Sequence, residues 1–352
     1  MPLTNAQLSE LLAAASADYT ERRQRALRRA SRHALMWPVE AAGLADEGAP
    51  LTTLNSVGPW VARIIEEILE NPPEVPDPDE TRQNFLTMSE ARAILDDGPE
   101  WTQELRADLQ MHSTYSDGSR SITEMAMGAM AKGYDYIAIT DHSKGLKIAG
   151  GFDEVVLAEQ MKEIDGVNAE IESQGHDFRI LRSIEMNLDT TGAGDMEPDA
   201  LAKLDVVVGS FHSKLRLKEA QTERALGAAR NPDVQIMGHP HGRMYGVRMG
   251  VRGDWGRVLE EGAANGKAYE INSQPNRQDL SVPMLELARD VGVPLTIGTD
   301  AHSIEELDTV DLSLAAAVKA GIPKEQILNF KPVDEFLGWV ATSRETAAAK
   351  LR

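Results

Sequence analysis

Asp108-Leu109-Gln110-Met111-His112-Ser113-Thr114-Tyr115-Ser116-Asp117-Gly118 decides the fold. It reads as an apolar strand that stops at a histidine and runs into a loop bearing a carboxylate. The same grammar recurs along the chain. Thr140-Asp141-His142-Ser143 follows Tyr-Ile-Ala-Ile, and Ile184-Glu185-Met186-Asn187 follows Arg-Ile-Leu. Ser210-Phe211-His212-Ser213 follows Val-Val-Val-Gly, and Gly238-His239-Pro240-His241-Gly242-Arg243 follows Gln-Ile-Met. Gly298-Thr299-Asp300-Ala301-His302-Ser303 follows Pro-Leu-Thr-Ile. Six of the eight histidines sit at such ends.

Apolar runs near 106–111, 134–140, 178–184, 206–211, 235–238, 268–271 and 294–298 alternate with helical stretches near 121–133, 153–173, 217–230, 254–265, 281–291 and 303–320. Ser121-Ile122-Thr123-Glu124 is a capping-box start, with Gly133 as its stop. Seven βα repeats predict an α/β fold, a parallel barrel in preference to an open sheet. Chemistry in such barrels sits at the C-terminal strand ends, where the histidines and acids fall. Residues two apart on a strand share a face. Gln110 and His112 therefore point together, as do Asp300 and His302. Histidines with Asp117, Glu185 and Asp300 suit zinc, manganese or iron.

Residues 5–35 read as one helix, and Glu21–Arg32 carries six arginines, as a solvated face or a phosphate-contacting patch. Residues 54–69 read as a turn at Gly58 entering an amphipathic helix. They resemble the second half of a helix-hairpin-helix unit, whose turn amides hold a DNA phosphate; a packed helical hairpin is the alternative. Such units show two glycines at the turn, and only Gly58 is present. Prolines 72, 73, 76 and 78 with Asp77, Asp79 and Glu80 mark 73–104 as an acidic linker holding one short helix, Ser89–Leu95. The expected domains are 1–72, all helical, and 105–352, the barrel.

The 352 residues carry a net charge of −20, which argues against a surface coated for non-specific nucleic-acid binding but not against a local basic groove. The absence of cysteine removes disulfides and thiolate metal sites. No apolar run reaches the roughly 18 residues that a membrane span needs. Without a signal-like start, the cytoplasm is the expected location.

The motif series, over about 105–335, resembles the polymerase and histidinol phosphatase (PHP) superfamily. It is most similar to the C-terminal PHP domain of bacterial family X DNA polymerases. The segments that carry this are His239-Pro240-His241-Gly242-Arg243, Glu270-Ile271-Asn272-Ser273-Gln274-Pro275-Asn276-Arg277 and Gly298–Ser303, in that order. No polymerase palm precedes them. The resemblance implies a distorted seven-stranded barrel and two or three divalent ions. One ion would sit on Gln110, His112, Glu185 and Asp300, a second on Glu185, His212 and His239, and a third on Asp117, His142 and His302. The departure is Gln110, where the superfamily often has histidine. An amide oxygen is a weaker ligand than imidazole, so this ion would be loosely held, or Gln110 would bond a metal-bound water.

The implied activity is phosphoester hydrolysis by a hydroxide held between ions. Glu185, His241 and Arg243 are the catalytic candidates. Arg243, Lys214, Arg248, Asn272 and Arg277 are the candidates for substrate phosphate, with Arg252 in the same glycine-rich loop. His33 and His176 read as surface residues. Two substrate classes fit: a small phosphomonoester such as histidinol phosphate or a nucleotide, and nucleic-acid 3′ ends, with residues 1–72 as the nucleic-acid contact. A degenerate PHP domain acting as an interaction module is the competing reading, as is a DNA-binding adaptor centred on 1–72.

Overall fold

The structure is a computed structural model that describes residues 2–350. Contacts divide it into two compact units, Met1–Pro99 and Glu100–Arg352.

In the first unit, Thr4 starts the helix Asn5–Ala15 through a capping box with Gln7. The expected single helix over 5–35 is instead two. At Ser16 the side chain bonds the Ala13 carbonyl at 2.6 Å. The chain then passes through a 3₁₀ turn, Ser16–Asp18, and restarts as Glu21–His33. Side chains of this kind compete with helix propagation. The break lets the second helix fold back, so that Leu8 and Leu12 share one core with Leu27, Ala30 and Trp37. Helix Pro59–Glu70 follows Gly58 with Pro59 in its first turn. Ser56 just before it takes φ +63, a conformation that favours glycine.

Residues 73–104 are not one connector. Arg82 pairs with Glu10 at 2.9 Å. Thr87 caps the helix Met88–Asp96, and Leu86, Ala91 and Leu95 are buried. Apolar side chains at helical spacing gave this stretch a face to bury.

The second unit holds eight parallel strands: β1 Ala107–Met111, β2 Tyr136–Ile139, β3 Arg179–Arg182, β4 Glu185–Leu188, β5 Val208–Phe211, β6 Ile236–Gly238, β7 Ala268–Asn272 and β8 Leu295–Gly298. Seven apolar runs become eight strands because the third, expected to end at Ile184, gives β3, and the chain resumes as a separate strand, β4, directly after Ser183–Ile184. β3 pairs with β2 and β4 pairs with β5. Glu185 keeps the halves in register, its N–H donating to the Asp141 carbonyl at 3.1 Å and its carbonyl accepting from Ser143. The barrel closes where the Asp300 N–H donates to the Gln110 carbonyl at 2.9 Å and the His112 N–H to that of Ala301 at 2.8 Å.

Apolar side chains fill the end where the strands begin. Ala107, Leu109, Tyr136, Val208 and Ile236 pack with Phe336 and Val340 of the C-terminal helix Val333–Lys350. The other end is polar. The register of β1 on β2 slips between Asp108 and Met111. Through this bulge Leu109 joins the apolar cluster while the adjacent Gln110 lies against Gly238 and Gly298. Re-aiming side chains beside a site is a recurrent use of bulges. No helix among the described residues is long and apolar enough to cross a membrane.

Candidate metal centre

The strand ends bring together the eight histidines and carboxylates expected as ligands. His112, Asp117, His142 and His302 place one ligand atom each within 4.8 Å of one another, as do His142, Glu185 and His212. Glu185 is the hub. Its carboxylate lies 2.9 Å from His142 Nδ1, 2.7 Å from His239 Nε2, 3.2 Å from His212 Nε2 and 3.6 Å from His112 Nε2. Asp300 Oδ1 is 3.0 Å from His112 Nε2. Asp117 Oδ1 is 3.2 Å from His302 and 3.4 Å from His142.

Three of these candidate ligands, Asp117, His302 and His212, are positioned by hydrogen bonds around them. Asp141, buried, accepts from the Ser113 N–H at 2.8 Å, the Ser113 hydroxyl at 2.6 Å and Gln160 at 2.6 Å, and also from the Ser116 hydroxyl. This ties down the turn that presents Asp117. The His302 Nδ1–H donates to the Asp300 carbonyl at 2.8 Å, leaving Nε2 for a ligand. The Asn187 amide oxygen, 3.3 Å from His212 Nδ1, does the same for His212. Second partners of this kind fix the tautomer of metal-binding histidines. His239 at φ +25 and Asp300 at φ +56 leave the favoured backbone regions, as residues at functional sites do.

Both oxygens of Glu185, Nε2 of His212 and both ring nitrogens of His239 are buried with no hydrogen-bond partner. A carboxylate buried among nitrogens without a donor demands positive charge. The electrostatics agree. Burial favours the neutral acid of Glu185, but the surrounding His142, His212 and His239 hold it well below the usual range. Burial likewise opposes ionisation of Asp117, and hydrogen bonds to His142 and His302 override it. Burial alone would lower His142, yet the Glu185 charge raises it to about 10. Imidazoles and carboxylates in this arrangement fit zinc, manganese or iron.

The remaining expected residues divide. The Gln110 amide faces Glu270: turned so that its nitrogen points at the carboxylate, it donates to the two oxygens at 2.6 and 3.2 Å. Glu270 also accepts the His239 N–H at 2.6 Å, and there is no room for a side chain at Gly298, which packs on Glu270 and Gln110. Asn272 donates to Glu270 and Asp300, at 3.2 Å each, and so orients acids. Arg277 Nε lies 3.6 Å from Asp300 Oδ2. His241 belongs to neither metal group and packs edge-on against Trp255 at 5.6 Å. Arg243 is buried, and burial lowers its pKa, with Asp279 opposing. Lys214 and Arg248 line a cleft beside His212.

Two groups escaped the sequence reading. Glu270 was visible only as part of a motif, although an acid two residues before Asn272 on a buried strand is a signal. Arg216, also in the cleft, lies just before the helix expected from 217; that helix starts at Thr222, leaving 212–221 as a loop at the site.

The model of the PHP domain family matches residues 108–273. The DNA polymerase/3′-5′ exonuclease PolX of Bacillus subtilis is 40% identical over 270 residues, 76% of this chain, which spans 45% of that protein's length. A probable phosphatase of Caldanaerobacter subterraneus is 30% identical over 245 residues, 64% of this chain and 88% of that protein. A crystal structure of histidinol phosphate phosphatase from Lactococcus lactis, complexed with zinc, L-histidinol and phosphate, aligns over 69% of this chain and 94% of its own, with a TM-score of 0.41 and 17% identity. By its match to the family model and to relatives along nearly their whole length, the chain belongs to the PHP family of metal-dependent phosphoesterases.

Proposed function

We propose that this chain hydrolyses phosphate esters at a centre of two or three zinc, manganese or iron ions organised by Glu185. The observation that carries this is the buried Glu185 carboxylate, without a hydrogen-bond donor and within 3.6 Å of four imidazoles. His112 and Asp300 would join Glu185 around one ion, His212 and His239 would join it around another, and Asp117, His142 and His302 would hold the third. Divalent ions held there supply charge to phosphoryl oxygens and acidify a water. Gln110 steadies Glu270, and through it the backbone of His239, in place of ligating. Arg277, beside Asp300, offers the reacting phosphate a cationic contact, and Lys214 and Arg248 line the cleft that adjoins it. The His241 carbonyl accepts the Val251 N–H at 2.6 Å and so ties down the loop that carries Arg248.

The substrate class favoured is a nucleic-acid end. The first unit contains a cleft of about 1000 Å³ lined by Arg22, Arg23, Arg25, Arg29 and Arg63 with no carboxylate. Arg23 stacks over Trp60 at 5.4 Å. Clustered arginines beside an aromatic face suit a phosphate backbone and its bases. The small phosphomonoester is the second reading, supported by the probable phosphatase that the chain resembles along 88% of its length.

The test is elemental analysis of the purified protein together with hydrolysis of p-nitrophenyl phosphate, before and after chelation and with Mn²⁺ or Zn²⁺ restored. Two or three ions and metal-dependent turnover support the enzyme. A folded, metal-free and inert protein favours an interaction module. Binding of a labelled oligonucleotide that collapses between low and high salt, and is lost in Arg25→Glu/Arg29→Glu, supports the nucleic-acid partner.

A further inference from the structure

We infer that the catalytic end of the barrel holds a second anion pocket, built for a phosphate adjoining the one that is hydrolysed. The inference rests on the phosphoesterase reading above. A cleft of about 420 Å³ opens beside His212, lined by Lys214, Arg216, Arg248 and Arg277 with Leu146 and Leu215. Four cations and no carboxylate form its wall.

The four are not equivalent. Arg277 is engaged with the ion centre, 3.6 Å from Asp300 and bonded to Gln274 at 3.0 Å. Arg248 donates to the Gly242 carbonyl at 2.9 Å, which fixes the guanidinium without neutralising it. Burial, then repulsion from Arg277 and Arg216, lowers its pKa. Lys214 and Arg216 are exposed and have no carboxylate partner among the described residues. Lys214 takes φ +58, away from the regions that non-glycine residues prefer.

The chain has 56 acids against 36 lysines and arginines, so a wall of like charge with no acid is not the local average. A single phosphate at the ion centre already meets the ions and Arg277. The surplus charge at Lys214, Arg216 and Arg248 therefore matches another anion. Apolar side chains accompany it. Leu146 and Leu215 line the cleft, and the exposed Ile148, Leu217 and Val247 follow on the same three loops. Cations interleaved with apolar surface suit a nucleotide, whose phosphate meets the one and whose base meets the other. The ligand is thus a nucleotide unit with two phosphates, either the end of a nucleic-acid strand or a free nucleoside bisphosphate.

Arg216→Ala is the probe, because Arg216 is exposed and its removal leaves the core intact. The metal-loaded full chain is assayed on p-nitrophenyl phosphate, on a nucleoside 3′,5′-bisphosphate and on a 5′-phosphorylated dinucleotide. The expected result is a loss of about tenfold in kcat/KM, carried by KM, on one or both substrates with two phosphates. Turnover of p-nitrophenyl phosphate stays unchanged. A loss confined to the dinucleotide identifies a strand end, and one confined to the bisphosphate a small molecule. Equal loss on all three substrates, or loss on none, overturns the pocket. If the wild type turns over none of them, the phosphoesterase reading fails by itself. Anisotropy of a fluorescent dinucleotide then decides the pocket: weaker binding to Arg216→Ala supports it, and equal binding overturns it.

Discussion

Nε2 of His239 lies 2.7 Å from Oε1 of Glu185, and neither atom has a hydrogen-bond partner. Atoms of this kind, buried and this close, are stable only with positive charge supplied to them. Glu185→Gln keeps the shape and removes the negative charge. It is expected to lose at least one ion per chain and about a thousandfold in kcat. Elemental analysis beside steady-state kinetics measures both, and a fully metallated, fully active variant would remove Glu185 from the centre.

Asn187 acts at one remove. Its amide oxygen faces His212 Nδ1 at 3.3 Å, and its own N–H is held by the Ser143 hydroxyl at 2.8 Å. Asn187→Ala frees the imidazole to rotate and to change tautomer. Metal affinity should fall about 10- to 100-fold while the melting temperature without metal stays the same. Competition against a chromophoric chelator reads the affinity, and an unchanged value shows that the contact does not orient His212.

Glu270 is buried beneath the ligands, and burial followed by repulsion from Asp300 raises its pKa well above the carboxylate range. Glu270→Ala strands the His239 N–H and the Gln110 amide. A loss of about 3 kcal/mol is expected from urea unfolding, because these two buried donors and one N–H of Asn272 lose an acceptor. Glu270→Gln keeps an acceptor oxygen and should retain most of that stability. Equal losses in the two variants would place the effect in packing.

Asp108 gives the pH dependence. Burial pushes its carboxyl up to about 6, although Thr299 and the Gln110 N–H bond it. A folded-state value above the unfolded one means that its contribution is full below about pH 4 and is lost as pH rises through 6. The gap corresponds to about 3 kcal/mol at neutral pH. Asp108→Asn removes the charge and should therefore gain on the wild type as pH rises from 4 to 7. Thermal melts of both proteins across that range test it, and a constant difference would show that Asp108 does not titrate there.

The gathering of histidines and carboxylates at one end of the barrel was legible because most of them end an apolar run, and strand ends are where a parallel barrel gathers side chains. The double role of β3 and β4 was not, since Ser183–Ile184 is short and apolar enough to continue a strand; only pairing on both sides shows the break. Gln110 was recognised as the odd member of the set. Its partner Glu270 lies far along the chain, and a hydrogen bond between interior faces leaves no periodic trace. The bulge in β1 is similarly silent, because Leu109 and Gln110 fit the alternation that it breaks. Helix length failed at Ser16, where one side-chain bond outweighs propensity.

The broken third strand has a mechanical consequence. Where β3 gives way to β4, Glu185 stands at the junction of the three-stranded and five-stranded sheets. It faces His142 beyond β2 and His212 and His239 beyond β5 and β6. The opposite junction, between β1 and β8, is spanned by His112 and Asp300. Ions at this centre would rivet both seams of the barrel at once. Amide hydrogen exchange at Asp141–Ser143, Glu185 and Asp300–Ala301 should slow on metal loading, while the apolar base around Phe336 keeps its protection. The centre proposed for the chemistry would thereby also latch the barrel shut.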